Sequence, residues 1–240
     1  MPDFQSVRLL GFDVYGTVVD WRGSVARHVE AFFLNANCEV DPFKFATDWR
    51  SLYQPAMEPI RQGARPWVTL DVLNLENLKA TMADHGIDAE RFSLSQLKEL
   101  NAAWERLDPW PDSVEAICRL KRKFAVGTIS NGHTAGMLWL AKYADLRWDV
   151  ILGAEVARNY KPRPEVYRLS AERAGLDIGQ TAMVAAHNDD LEAAAECGMS
   201  TFFVLRPTEH GPEQTSDLSA HGQWTIVAAD LKELADILEC

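Results

Sequence analysis

Between residues 124 and 227 the chain alternates short apolar runs with stretches of helical period, and no other feature restricts its fold as much. Residues 124–130, 148–152, 182–186, 201–205 and 224–227 read as buried strands. Residues 133–143, 164–175 and 189–196 carry the helical spacing; the second opens on Pro164, suited to a first turn, and the third closes at Gly198. Strand and helix in this order require a parallel sheet with helices on its faces, an α/β fold. A further apolar run, Leu9-Leu10-Gly11-Phe12, is of the same kind and ends in Asp13, with a turn at Gly16 and Thr17.

After Asp20 the period becomes helical and stays so. Ser24 is a candidate N-cap for a helix carrying Val25, Val29, Phe32, Phe33 and Ala36 on one face. Helical segments follow at 43–52, 69–85 and 94–107, punctuated by Pro55, Pro59, Pro66 and Gly86. This is an inserted helical subdomain, in which Trp49, Trp67 and Trp104 read as packing residues. The α/β pattern resumes at Pro109-Trp110-Pro111, with Asp112 and Glu115 spaced as a capping box. Residues 206–222 read as a polar loop, and Asp230 with Glu233 caps a last helix.

A chain of 240 residues accommodates one α/β core with such an insertion. Its formal net charge of −11 gives no general attraction to nucleic acid or to an anionic membrane, so neither is expected as a partner. A small anion stays possible, because a few cations and backbone N–H groups suffice to hold it. Cys38, Cys118, Cys197 and Cys240 are scattered without a C-x-x-C pair, and are expected reduced and mostly buried. With no long apolar segment or leader-like start, a cytoplasmic location is expected.

Polar residues close four of these segments: Asp13, then Ser130-Asn131-Gly132, then Lys161, then His187-Asn188-Asp189-Asp190. Each has a structural explanation of its own, as turn residue, helix cap, solvated loop lysine or dipole partner. Strand ends of an open parallel sheet are also where ligands bind. Asp13 is therefore either a turn residue or a nucleophilic carboxylate.

Taken together and in this order, the four segments resemble the four motifs of the haloacid dehalogenase superfamily. The resemblance spans the chain and implies a Rossmann-like core, residues 1–20 and 109–240, under a helical cap, residues 21–108. It makes Asp13 the nucleophile. Phosphatases of that superfamily carry a second aspartate two positions later, where this chain has Tyr15, a poor acid with an ordinary pKa of ~10. Asp13-Val14-Tyr15-Gly16-Thr17 instead resembles the L-2-haloacid dehalogenase branch, which uses no metal or other cofactor, and Val14, Tyr15 and Thr17 are thereby assigned to the substrate site.

Trp49-Arg50 resembles the cap segment whose arginine binds substrate or halide, although Arg50 on a helix is otherwise a surface residue. The resemblance gives Asn131 to the halide, and Ser130 with nearby backbone N–H groups to the substrate carboxylate. Lys161-Pro162-x-Pro164-x-Val166-Tyr167 resembles the third motif, Lys161 keeping Asp13 ionised and Tyr167 supporting by hydrogen bonding. Asp190 would orient Lys161 and position or activate water. The fourth motif departs from the branch: Ala185-Ala186-His187-Asn188 stands where Ser-Ser-Asn and an aromatic residue are usual. His187 is then a donor to halide or ester, a base for water, or a helix cap, and Asn188 adjoins the substrate.

The implied reaction is displacement of halide from the α-carbon of a short 2-haloalkanoate by Asp13, then hydrolysis of the aspartyl ester to a 2-hydroxy acid. Fluoroacetate is among the candidate substrates, since some relatives accept it. A homodimer is expected from the resemblance alone. Two alternatives stay open: a magnesium-dependent phosphatase of the same superfamily, and a non-catalytic binding protein of the same fold.

Overall fold

A computed structural model describes residues 4–240. Its strands are β1 (Leu9–Phe12), β2 (Val19–Asp20), β3 (Asp108–Pro109), β4 (Ala125–Ser130), β5 (Val150–Gly153), β6 (Thr181–Ala185), β7 (Ser200–Val204) and β8 (Ile226–Ala228). Six of them form one sheet in the order β5-β4-β1-β6-β7-β8, every pair parallel. The expected α/β parallel sheet is therefore present. Side chains alternate across it: Leu10, Phe12, Val184 and Phe202 enter one apolar cluster, while Leu9, Met183, Ala185 and Phe203 enter the other. A sheet buried on both faces needs such continuous apolar runs, and they were the runs visible in the sequence.

The sheet order also locates the site. From β1 the chain moves to β4 and β5 on one side, then crosses to β6, β7 and β8 on the other. The crevice at such a reversal lies beyond the carboxyl ends of the central strands. Asp13 follows β1, Asn131 follows β4 and His187 follows β6.

The helices between β2 and β3 are α1 (Trp21–Asn35), α2 (Pro42–Ser51), α3 (Tyr53–Arg61), α4 (Leu70–Asp84) and α5 (Leu94–Asn101). β2 and β3 pair antiparallel at the two ends of this helical stretch, a ribbon the sequence reading did not contain. Aromatic packing holds its interior: the ring of Trp104 lies 5.5 Å from Trp49 and 6.2 Å from Trp21. Trp67 is half-buried and packs on Tyr160 at 4.8 Å.

Three sequence expectations are corrected here. The cap of α1 is Asp20, whose carboxylate accepts from Gly23 N–H, whereas the Ser24 hydroxyl accepts from Asp108 N–H across the ribbon. Residues 53–61 form α3 despite two prolines. Pro55 falls in the first turn, where no N–H is required, and the Pro59 carbonyl accepts from Ala64 and Arg65 as the helix closes.

Asp112 makes no side-chain cap bond to the helix that it precedes. Beyond it run α6 (Ser113–Leu120), α7 (Thr134–Tyr143), α8 (Ala154–Ala157), α9 (Pro164–Arg173), α10 (Asn188–Glu196) and α11 (Leu231–Ile237). The Asp112 carboxylate takes both terminal nitrogens of Arg206, at 2.9 and 2.8 Å, and Leu231 N–H at the start of α11. A bidentate guanidinium out-competes the first-turn backbone donors of α6 for this buried carboxylate. Of the cysteines, all free, only Cys197 is buried and the other three are half-buried. No helix of the described residues is long and apolar enough to cross a membrane.

Candidate active site

β1 delivers Asp13 to the floor of a cavity of about 740 Å³, bounded on the other side by Arg50 and Tyr53 of α2 and α3. Gly16 turns the chain immediately afterwards with φ +90°. A Cβ there would lie 2.0 Å from Glu209 Oε1, so the glycine also makes room for a second carboxylate beside the first.

Asp13 is buried, and both its oxygens have partners. Oδ1 accepts from Lys161 Nζ at 2.9 Å, and Oδ2 accepts from the Thr17 hydroxyl at 2.9 Å. Thr17 in turn accepts from Ala186 N–H, which fixes its rotamer. Lys161 also donates to Asp190 Oδ2 at 2.5 Å, and Tyr167 donates to the other Asp190 oxygen at 2.6 Å. Burial by itself raises the Asp13 carboxyl, but the Lys161 ammonium and His187 more than offset it, and Asp13 is held well below the ordinary carboxylate range. Asp190 goes the other way. Burial, with the Asp13 charge beside it, raises its carboxyl although Lys161 and Tyr167 pull against this. Two carboxylates sharing one ammonium divide into a fixed anion and a proton-accepting neighbour.

Arg50 stands over the cavity with its guanidinium 3.8 Å from the Tyr53 ring centroid and 5.4 Å from that of Trp21. Its Nη1 is buried and has no hydrogen-bond partner among the described residues. A buried N–H on a full positive charge is costly to leave unmade, so this nitrogen is placed for an anion. Asn131 borders the same space. Its Oδ1 accepts from Lys161 N–H at 2.8 Å, leaving the amide NH₂ as its available donor.

Tyr15 lines the cavity but packs edge-on against Trp104, 5.9 Å away, and burial pushes its hydroxyl far above the ordinary value. Such a phenol neither releases nor relays a proton near neutrality.

Other expected site residues lie elsewhere. Val14 is fully buried in the apolar core, and Ser130 is fully buried with its hydroxyl accepting from Gly132 N–H; neither borders the cavity. Asn188 borders it, yet its amide is committed to the loop between β7 and β8. Nδ2 donates to Asp217 and to Ser219 O, while Oδ1 accepts from His221 N–H and Trp224 Nε1. That loop out-competes a ligand for every polar atom of the side chain.

His187 does not cap α10 with its ring. Nε2 hydrogen-bonds Glu209 Oε2 at 2.9 Å and Nδ1 lies 3.2 Å from Asp13 Oδ2. Glu209 is 1% exposed and also accepts from Trp21 Nε1 at 3.0 Å. Burial lowers the His187 ring, but Glu209 and Asp13 together raise it well above its ordinary value. Glu209 itself is lowered, burial being outweighed by His187, His210 and Arg50. The sequence reading missed Glu209, which sits in a stretch with no periodicity.

His187, Glu209 and His210 each present a ligand-type atom, all within 4.8 Å of one another. Trp21 and Asp13 already engage two of the three, which makes the group a hydrogen-bonded network as it stands.

A family model of the haloacid dehalogenase-like hydrolases matches residues 7–198. The chain belongs to that family. Among solved structures of the family, the defluorinating L-2-haloacid dehalogenase Rha0230 is 46% identical, with a TM-score of 0.96 over 98% of this chain and 96% of its own. The L-2-haloacid dehalogenase PA0810 is 36% identical, with a TM-score of 0.92 over 97% and 99%. The (S)-2-haloacid dehalogenase 4A of Burkholderia cepacia is 26% identical and aligns over 96% of this chain and 99% of its own length.

Proposed function

We propose that the protein hydrolyses the carbon–halogen bond of short 2-haloalkanoic acids, fluoroacetate included, and yields 2-hydroxy acids. The observation that carries this reading is the buried Arg50 Nη1, without a hydrogen-bond partner among the described residues, in the cavity that holds an ionised Asp13. An anionic nucleophile facing a cation with an unmade bond suits a substrate whose leaving group departs as an anion. The similarity to Rha0230, a defluorinating L-2-haloacid dehalogenase, supports including fluoride.

In this reading an oxygen of Asp13 attacks the α-carbon as the halide departs toward Arg50 and Asn131, with inversion where that carbon is stereogenic. Lys161 keeps the nucleophile ionised. The substrate carboxylate lies at the strand ends, against backbone N–H groups following Asp13 and Ser130. Water then adds to Cγ of the Asp13 ester, and Asp190, the carboxylate of raised proton affinity, receives its proton. The helices between β2 and β3 act as the cap, a cytoplasmic location follows from the same reading, and a second copy of the chain completes a homodimer.

Halide release from chloroacetate, L-2-chloropropionate and fluoroacetate, measured beside phosphate release from small phosphate esters with and without chelator, tests this. Halide release insensitive to chelator is expected. Magnesium-dependent phosphate release without halide release would overturn the reading in favour of a phosphatase, against which Tyr15 argues.

A further inference from the structure

The two oxygens of Asp13 are not equivalent. Among the described residues Oδ1 has one partner, Lys161 Nζ; Oδ2 accepts the Thr17 hydroxyl and faces His187 Nδ1. A carboxylate oxygen has two in-plane lone pairs. Those of Oδ2 are both claimed, so the lone pair free to attack carbon belongs to Oδ1. Oδ2 then becomes the carbonyl oxygen of the ester, and it is the atom on which negative charge collects when water adds to Cγ.

The protonation of His187 follows from what surrounds it. Nε2 meets Glu209 Oε2 and Nδ1 meets Asp13 Oδ2, and ionised carboxylate oxygens only accept. Both ring nitrogens must therefore carry hydrogen. Glu209 is itself fixed by Trp21 Nε1 and enclosed against Gly16, so the ring has one orientation available.

We propose that Thr17 and the His187 imidazolium form the oxyanion cradle of the ester-hydrolysis step, with Glu209 as the positioning residue that keeps His187 protonated and aimed at Oδ2. The proposal rests on the dehalogenase reading above. Water adds to Cγ and passes one proton to Asp190, while the C=O electron pair moves onto Oδ2 between Thr17 and His187. When the pair returns, the bond from Cγ to Oδ1 breaks and the leaving alkoxide takes the proton from Asp190. This releases the 2-hydroxy acid, carrying the original Oδ1. Asp13 keeps the oxygen of water, and its remaining proton goes to solvent.

The imidazolium acts in opposite directions on the two steps. Alkylation removes charge from the Asp13 carboxylate and so works against His187, whereas water addition restores charge on Oδ2 and is favoured by it. Only an interaction stronger in a transition state than in the state before it accelerates that step. Neutralising His187 must therefore slow hydrolysis of the ester selectively.

Glu209→Gln is the test, with His187→Asn as the second variant. Rapid-quench halide release from chloroacetate is followed alongside intact-protein mass spectrometry. The expected result is a first-turnover burst of about one halide per site at the wild-type rate or faster. Steady-state turnover falls about 10²-fold, and the ester on Asp13 accumulates. First-turnover and steady-state rates falling in parallel, with no ester trapped, would overturn the proposal, as would unchanged steady-state turnover in both variants. A wild-type protein that releases no halide overturns the dehalogenase reading instead, so the two failures are distinguishable. In a structure of the trapped ester, linkage through Oδ1 with the carbonyl oxygen on Thr17 supports the assignment; linkage through Oδ2 refutes it.

Discussion

The carboxyl ends of β1, β4 and β6 and the long loop between β7 and β8 both supply the site, but in different ways. Each strand end places a residue by register: β1 pairs with β4 and β6 residue for residue, Phe12 opposite Thr128 and Val184, so Asn131 and His187 each come two residues beyond the level of Asp13, at the same end of the sheet. The loop has no register. It is held by polar contacts, with Arg206 reaching Asp112 and Thr17 O, Asn188 gathering residues 217–224, and Glu209 entering beside Gly16. The strand ends carry the reacting carboxylate, and the loop sets the charge of the histidine next to it.

This difference predicts a hierarchy of effects. Asp13→Ala removes the carboxylate assigned to form the ester, and halide release should fall by on the order of 10⁴-fold, with no covalent adduct by mass spectrometry. A variant retaining a tenth of the activity would mean that water attacks carbon directly. Lys161→Met leaves Asp13 and Asp190 facing each other in a buried site. Breaking one side of a buried ion cluster costs about 3–5 kcal/mol of stability, so denaturant unfolding should move to lower concentration as activity is lost. Equal stability would show that the two acids share a proton in the folded protein.

What was legible in the sequence follows the same division. Apolar runs ending in Asp13, Asn131 and His187 declare themselves because a buried parallel strand has no other composition open to it. Lys161 and Tyr167 were legible through their spacing from Pro162 and Pro164. Glu209 and the Arg206–Asp112 pair were not, because a loop that crosses the sheet end closes contacts between residues 94 apart, and nothing local records them. Asp112 shows the cost of a local rule: its spacing to Glu115 fits a capping box, and a distant guanidinium overrides it. Residues 53–61 show the converse, two prolines read as breaks although Pro55 falls in the first turn, where no N–H is required, and the helix runs on through Pro59.

The loop's electrostatic role makes a pH prediction with a definite sign. His187 is raised well above its ordinary value, so the stability it contributes is complete below about pH 6.5 and is lost as pH rises through its folded value. Asp13 and Glu209 are lowered, so theirs is complete above about pH 4.5 and is lost as pH falls through their folded values. Asp13 and Glu209 face the ring, with Lys161 beside Asp13 and His210 and Arg50 acting on Glu209. Steady-state turnover should fall on the alkaline side as the imidazolium deprotonates. Glu209→Gln should bring that limb down by about 1 to 3 pH units, while the acid limb, set by Asp190, the proton acceptor whose carboxyl is raised, holds its place. A full pH–rate profile of both proteins decides this; coincident alkaline limbs would detach Glu209 from His187.

The smallest effect separates two neighbours at one strand end. Family resemblance gives Ser130 to the substrate carboxylate, but its hydroxyl is buried on Gly132 N–H and does not border the cavity, whereas Asn131 does. Ser130→Ala should therefore cost about 1 kcal/mol of stability, the worth of one buried hydrogen bond, and leave KM for chloroacetate within about twofold, a change near 0.4 kcal/mol or less. Asn131→Ala, by contrast, removes both the acceptor of Lys161 N–H and the free amide donor, and should raise KM and lower kcat together. If Ser130→Ala raised KM tenfold with kcat unchanged, it would have removed uniform binding of the substrate. The hydroxyl would then turn from Gly132 to the ligand, and this strand end would adapt on binding.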